Sequence, residues 1–328
     1  MQAVKLTARE SRGYWRPVTT PRLPLTTQRL VVVTGKGGVG KTTVSAALAR
    51  AVAAAGRRVL AVEIGRGRLA TLLGVQRLGA EPVRIAARLQ AAAVEPEEIL
   101  GDFLESVLRF RLLARRLLGS TSFQVLAAAA PGLPELLVLH RLLGWLDARR
   151  LGRTVHELIV VDAPASGHSL PLLAAPRALG ALAGLGPVAD LLRRAEATLA
   201  DPKTCLVCTV TTAESLAVKE TIELVRELVE GLRLPVGPPI ANAVPPRRFT
   251  AEEASVVERL SATSGHPHLA AARFQIERRA QADAQLAALK RGVHATPVRL
   301  PFLYDAPESP EGVAALAAEL AAATGLGR

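Results

Sequence analysis

The sequence predicts an α/β fold, a mostly parallel sheet flanked by helices, and three observations carry that expectation. Short apolar runs of strand length recur at Leu30–Val33, Val59–Val62, Glu157–Asp162, Cys205–Val210 and Pro239–Val244. Between them lie stretches in which apolar residues return every three or four positions, the period of a helix with one buried face. The first run feeds straight into Gly35-Lys36-Gly37-Gly38-Val39-Gly40-Lys41-Thr42 and then into the helical Ser45-Ala46-Ala47-Leu48.

That loop fits the phosphate-loop pattern G-x-x-x-x-G-K-[ST] without a mismatch, which predicts a P-loop NTPase fold and a nucleotide site. Gly35, Gly37, Gly38 and Gly40 let the backbone bring its N–H groups against phosphate oxygens, with Val39 and Thr43 completing the contact stretch. The helix that follows adds the partial positive charge of its N-terminus. Lys41 is placed to reach the β- and γ-phosphates and Thr42 to hold Mg²⁺ through its hydroxyl. Lys36 is a second lysine in the loop and marks a resemblance to the deviant branch of these switches. Members of that branch are typically dimers in which this lysine reaches into the partner's phosphates, as an arginine finger does.

Composition narrows the classes. At 328 residues with 49% hydrophobic and only 3% aromatic, the chain has ample material for a core of Leu, Val and Ala. The formal charge of +12 comes from 41 Lys plus Arg against 29 Asp plus Glu, and only six of those bases are Lys. No nucleic-acid motif or aromatic-interleaved basic patch is visible in the sequence, so no specific nucleic-acid site is expected. Two cysteines, one methionine and an N-terminus without an apolar h-region predict a cytoplasmic protein in a reducing compartment. Residues 1–28 read as a flexible arm before an ATPase domain over 29–328. The most membrane-like window, Ser169–Leu192, is broken by Pro171, Pro176, Arg177 and Pro187 and reads as packed rather than spanning.

Taken in order, the loop helix runs to about Ala55 and stops at Gly56, and Val59–Val62 delivers Glu63 to the carboxyl edge of the sheet. There Glu63 could orient the attacking water, or simply cap a helix. From Leu69 to about Arg150 the pattern reads as helix throughout, with at most a short strand near Val83–Ile85. Leu104, Val107, Leu108, Leu112 and Leu117 form one amphipathic stripe, and Leu136, Leu137, Leu139, Leu143 and Leu146 form another after a break at Pro131-Gly132. This predicts an inserted helical subdomain over about 69–150, with 169–200 as a second inserted part. Glu157–Asp162 returns to the sheet and ends in a carboxylate, the Walker B arrangement in which Asp162 holds a Mg²⁺ water. Gly167, in the loop that follows, could set a backbone N–H on the γ-phosphate, a contact that exists only while that phosphate does.

Later, Cys205–Val210 reads as a strand, Ser215–Glu230 as a helix, Pro239–Val244 as a strand carrying Asn242, Arg299–Phe302 as the last strand and Glu311–Ala323 as the closing helix. The Asn242 amide, with a donor and an acceptor, matches the edge of adenine. Cys205 and Cys208 stand three apart on a strand, so they point to opposite faces and read as structural thiols rather than one metal site.

Together the motifs resemble the arsenite-pump ATPases and their relatives that target tail-anchored membrane proteins, over roughly Leu30–Leu320. The pieces that carry the resemblance are GKGGVGKTT at 35–43, PGLPE at 131–135, VVDAPASGHSLPLL at 160–173, TTAESLAVKET at 211–221, ANAVPP at 241–246 and PFLYDAPES from 301. The resemblance implies ATP and Mg²⁺ as cofactors and catalytic roles for Lys36, Lys41 and Asp162, beside the catalytic role that Glu63 draws from its place after the second strand. It further implies adenine held by Asn242 with Pro301 and Phe302. It implies a homodimer, or a heterodimer with a related ATPase, that couples nucleotide state to a hydrophobic client or membrane-associated partner. Where that family has Asp-Pro-Ala-His after the second strand, this chain has Glu63-Ile64-Gly65-Arg66. Two other readings share the loop: a MinD- or ParA-like positioning switch on membrane or DNA, and an ATP-binding subunit with little turnover of its own.

Overall fold

Strand β1, Leu30–Gly35, is buried at all six positions, and its uninterrupted Leu-Val-Val-Val suits a strand covered on both faces. A computed structural model describes residues 27–107, 131–164, 166–181, 184–304 and 308–326. Helix α1, Lys41–Ala54, follows the glycine loop and buries residues on more than one side, from Val44 through Val52. It is sandwiched between the sheet and the last helix, α10, Pro310–Thr324, which is why it is rich in alanine.

Strand β2, Val59–Ile64, leads to the short α2, Leu69–Leu73, then to β3, Val83–Ala86, and β4, Leu89–Val94. Helix α3, Pro96–Val107, and helix α4, Leu133–Asp147, come next, then a small hairpin of β5, Arg149–Arg150, and β6, Arg153–Thr154. Strand β7, Leu158–Asp162, returns to the sheet and is followed by α5, Ser166–Gly180, and α6, Pro187–Ala200. After β8, Cys205–Thr212, come α7, Ser215–Arg226, its π-helical extension Glu227–Gly231, and β9, Ile240–Val244. Helices α8, Ala251–Thr263, and α9, Pro267–Val293, precede β10, Val298–Pro301.

Among the described residues, eight strands form one sheet in the order β10-β9-β8-β1-β7-β2-β4-β3, parallel except for β3. Chain order reverses around β1, which pairs with β7 on one side and β8 on the other. In such sheets the crevice for a ligand opens at the carboxyl ends of the strands beside that reversal. The register aligns the ends there: Val33 lies opposite Asp162, Glu63 opposite Asp162, and Gly35 opposite Val210.

The reading of 69–150 as helix throughout is corrected at β4. Leu89-Gln90-Ala91-Ala92-Ala93-Val94 pairs with β2 along its full length, from Val59 opposite Leu89 to Ile64 opposite Val94. Its three alanines favour helix locally, but pairing on both edges and burial on both faces outweigh that preference. The segment expected near Val83–Ile85 is the antiparallel strand β3. Residues 169–200 fall in α5 and α6, whose Leu172, Leu173, Leu192 and Leu199 pack on the sheet as an ordinary connection between β7 and β8. Leu108, Leu112 and Leu117, and the arm up to residue 26, lie outside the described residues.

Alternation along the strands divides the core. Val31, Val33, Val160 and Cys208 face α1, α2 and α10, while Leu30, Val32, Val161 and Cys205 face α3 to α6. The two thiols thus sit on opposite faces, as their spacing predicts, and both are fully buried. Among the described residues no helix is long and apolar enough to cross a membrane.

Candidate nucleotide site

The glycine loop bridges the end of β1 and the start of α1. A β-carbon on Gly35 would stand 2.3 Å from the Val210 carbonyl oxygen of the neighbouring strand, so only glycine lets the loop leave the sheet there. Gly40 is the N-cap of α1 with φ 87°, in the left-handed region that glycine reaches without strain. Lys36, Gly37 and Gly38 are exposed, Val39 is buried under them, and Lys41, Thr42 and Thr43 are half-buried in the first turn of the helix. Lys41 Nζ donates to the Lys36 carbonyl at 3.0 Å, folding its ammonium back over the loop.

At the end of β7 the buried Asp162 receives hydrogen bonds from the hydroxyls of Thr42 and Ser45, the latter at 2.9 Å. Burial raises the Asp162 pKa above the usual carboxylate range, and the two hydroxyls and the Lys41 charge oppose it. Burial likewise lowers the Lys41 pKa, with Asp162 opposing. A hydroxyl and a carboxylate side by side at a phosphate loop are hard oxygen donors, the set that suits Mg²⁺.

Glu63, the penultimate residue of β2, stands opposite Asp162 and is also buried. Burial raises its pKa, the neighbouring Asp162 charge adds to that, and backbone N–H groups of Leu69, Gly67 and Arg68 oppose it. The Leu69 N–H donates to Oε1 at 2.9 Å, so this carboxylate holds the turn into α2. Lys36 Nζ lies 2.7 Å from Glu220 Oε1 on α7 of the same chain, with the lysine side chain 52% exposed.

Residues 28–186 match the family described as "Anion-transporting ATPase". Residues 28–186 therefore belong to the ArsA-like ATPase family. The chain is 34% identical over 223 residues to "ATPase BagA" of Mycobacterium tuberculosis, covering 65% of this chain and 64% of that protein. It is 32% identical over 155 residues to "Putative arsenical pump-driving ATPase" of Chlorobaculum tepidum, 46% of this chain and 36% of that one. With the Escherichia coli "Arsenical pump-driving ATPase" it shares 30% identity over 189 residues, 52% of this chain and 32% of the other. The alignments thus span less than two thirds of the length of these relatives.

The fold brings the loop, Asp162, Glu63 and Asn242 to one edge of the sheet. Asn242 Nδ2 donates to the Val39 carbonyl at 3.0 Å, which ties β9 to the loop. Gly167 is exposed in the first turn of α5, just beyond Asp162. Pro301 ends β10 and the Phe302 N–H donates to the Val244 carbonyl at 3.0 Å, two residues past Asn242. No described contact joins Pro301 or Phe302 to the loop itself.

Sequence reasoning missed two partners, Ser45 and Glu220. Ser45 lies three residues after Thr42, one helical turn along the face that Asp162 meets, so its spacing was a usable signal. Glu220 carried no such signal, because α7 is brought to the loop only by the pairing of β8 with β1. The fold also assembles what the sequence does not show. Arg248 stands over the Tyr304 ring and Arg278 over the Phe302 ring, while Arg247, Arg279 and Arg299 surround Asp283.

Proposed function

We propose that this ArsA-like chain is a Mg²⁺-dependent, ATP-hydrolysing switch that dimerises around nucleotide and couples its nucleotide state to a hydrophobic client or membrane-associated partner. The observation that carries the proposal is the meeting of Thr42 and Asp162 beneath a complete phosphate loop. These two residues would hold Mg²⁺, which when bound neutralises charge on the phosphate oxygens. Ser45 orients the Asp162 carboxylate, and Lys41 supplies a cation to the terminal phosphates once it leaves the Lys36 carbonyl. The loop runs into the N-terminus of α1, whose first N–H groups have no partner within the helix, so a phosphate bound there would use dipoles already in place. Asn242, Pro301 and Phe302 stand at the strand ends where the adenine would lie.

Lys36 supplies the second cation, in the reading that it crosses to the partner's phosphates. Within one chain it is held by Glu220, and leaving that half-exposed ion pair costs at most about 1 kcal/mol. Hydrolysis further needs a carboxylate to orient water. Glu63 is the candidate, but its carboxylate is engaged by backbone N–H groups of the α2 turn. That engagement favours slow turnover by the isolated chain, with release of the α2 turn as the limiting event.

Two variants test the proposal. Lys41→Ala is expected to abolish ATP binding measured by calorimetry. Lys36→Ala is expected to keep binding but lose hydrolysis by a factor of roughly 10³ to 10⁵, the range of an arginine finger. Unchanged turnover in Lys36→Ala would refute the cross-subunit role. ATP-dependent, salt-sensitive binding to DNA in place of any client would assign the chain to the positioning switches instead.

A further inference from the structure

Away from the nucleotide edge, α5, α6 and the segment after α7 line a surface cleft of about 200 Å³, with the charged residues at its rim exposed. Its position is set by α5, which starts beside Asp162 and reaches the cleft from Leu173 to Arg177, roughly 10 to 16 Å farther along the helix axis. Leu173, Leu199 and Leu234 make an apolar floor, each nearly fully buried. Three charged side chains line the rest: Arg177, Arg233 and Glu196.

The chain departs from regular geometry at this wall. Helix α7 widens into the π turn Glu227–Gly231, and the chain then closes with Leu232 N–H on the Glu227 carbonyl and Leu234 N–H on the Leu228 carbonyl, each at 2.9 Å. Between those bonds Arg233 takes φ 57°, the left-handed conformation in which helix ends ordinarily place glycine. Gly231, two residues earlier, does not serve this purpose and has no positive φ. An arginine carrying that strain sets its side chain against the cleft. Neither Arg233 nor Glu196 forms a side-chain hydrogen bond or ion pair with another described residue, and Arg177 spends one N–H on the Gly231 carbonyl. Strained backbone, a π turn and one uncommitted guanidinium, that of Arg233, over an apolar floor converge on a ligand.

We propose that this cleft binds a small monocarboxylate with an apolar body of about eight or nine non-hydrogen atoms. Size follows from volume: a cavity of about 150 Å³ holds benzene, so 200 Å³ takes a ring or short chain plus a carboxylate. Charge follows from the rim. Two guanidinium groups and one carboxylate leave a net single positive charge, which matches a monoanion and disfavours a phosphate dianion beside Glu196. The planar guanidinium fork pairs with a carboxylate through two parallel hydrogen bonds, while the ring or chain covers the leucines.

The test titrates the full chain, without nucleotide, with benzoate and with benzamide, its uncharged analogue, and follows binding by ligand-observed NMR. Benzoate is expected to bind and benzamide to bind at least about tenfold more weakly, since the charge-assisted pair is lost. Arg233→Gly is the decisive variant, because glycine relieves the backbone at that position. It is expected to melt at or above the temperature of the parent and to weaken benzoate at least about tenfold. Arg177→Gln is expected to weaken it in the same direction. Equal binding of benzoate and benzamide, no binding of benzoate up to about 10 mM, or unchanged binding in a folded Arg233→Gly would each overturn the assignment.

Discussion

The packing of the glycine loop against β8 makes a quantitative prediction at Gly35. A β-carbon there would lie 2.3 Å from the Val210 carbonyl oxygen and 3.2 Å from its carbon, both backbone atoms that no rotamer change can move. Forcing that contact in Gly35→Ala must open the pairing of β1 with β8, which at this point aligns Gly35 with Val210. Overpacking of this kind costs about 1–3 kcal/mol. Holding alanine at φ 149° adds a further amount of about 1–3 kcal/mol. The sum, about 2–6 kcal/mol, is a large share of the roughly 5–15 kcal/mol that holds a domain folded. Gly37→Ala is the control: an added β-carbon there meets nothing within 4 Å and the residue has no positive φ, so the change stays within about 0.5 kcal/mol. Urea denaturation followed by circular dichroism, without nucleotide, reads both. A loss under about 1 kcal/mol for Gly35→Ala, or equal losses at the two positions, would show that the loop is not wedged against β8.

Three further outcomes follow from the same geometry. Glu220→Gln frees Lys36 from its contact within the chain, so a chain loaded with an ATP analogue should dimerise at a concentration lower by up to about fivefold in sedimentation; weaker or unchanged association would mean that Glu220 does not compete for Lys36. Asp283 has its pKa lowered first by hydrogen bonding to Arg279, then with help from Arg247 and Arg299. A depressed carboxylate stabilises the fold above its unfolded pKa and loses that contribution as pH falls through the folded value. Asp283→Asn should therefore cost up to about 1 kcal/mol at neutral pH, and the difference from the parent should fade below about pH 4. Burial raises the pKa of both cysteines, that of Cys208 to about 12. Neither thiol should react with a disulfide reagent in the folded protein and both should react in denaturant; rapid labelling of the native chain would contradict their place in the core.

Legibility was uneven for physical reasons. The strands at Leu30, Val59, Leu158, Cys205 and Ile240 were readable because buried parallel strands are short, continuous β-branched and aliphatic runs bounded by turn residues. Strand β4 was not, because Ala91-Ala92-Ala93 carries no strand preference of its own. Sequence reasoning assigned nothing to α8 and α9: α8 buries no residue, and in the 27-residue α9 only Ala282, Leu286, Leu289 and Val293 are buried, all in its second half. An amphipathic period over so few turns does not stand out.

The sequence by itself determined the phosphate loop, the carboxylates at the carboxyl ends of β2 and β7, and the opposite facing of the two cysteines. Each is a matter of local spacing, since a loop of fixed length and a strand of period two leave the side chains no other arrangement. Only the tertiary structure decided what those groups touch. Glu63 turns to the N–H groups of 67–69, Lys36 to Glu220, Asn242 to the Val39 carbonyl, and Arg233 to a cleft walled by two helices and a turn. The reason is that a hydrogen bond or ion pair is set by distance in space, and the partners of Lys36 and Asn242 lie some 180 to 200 residues away along the chain, joined only by the order of strands in one sheet.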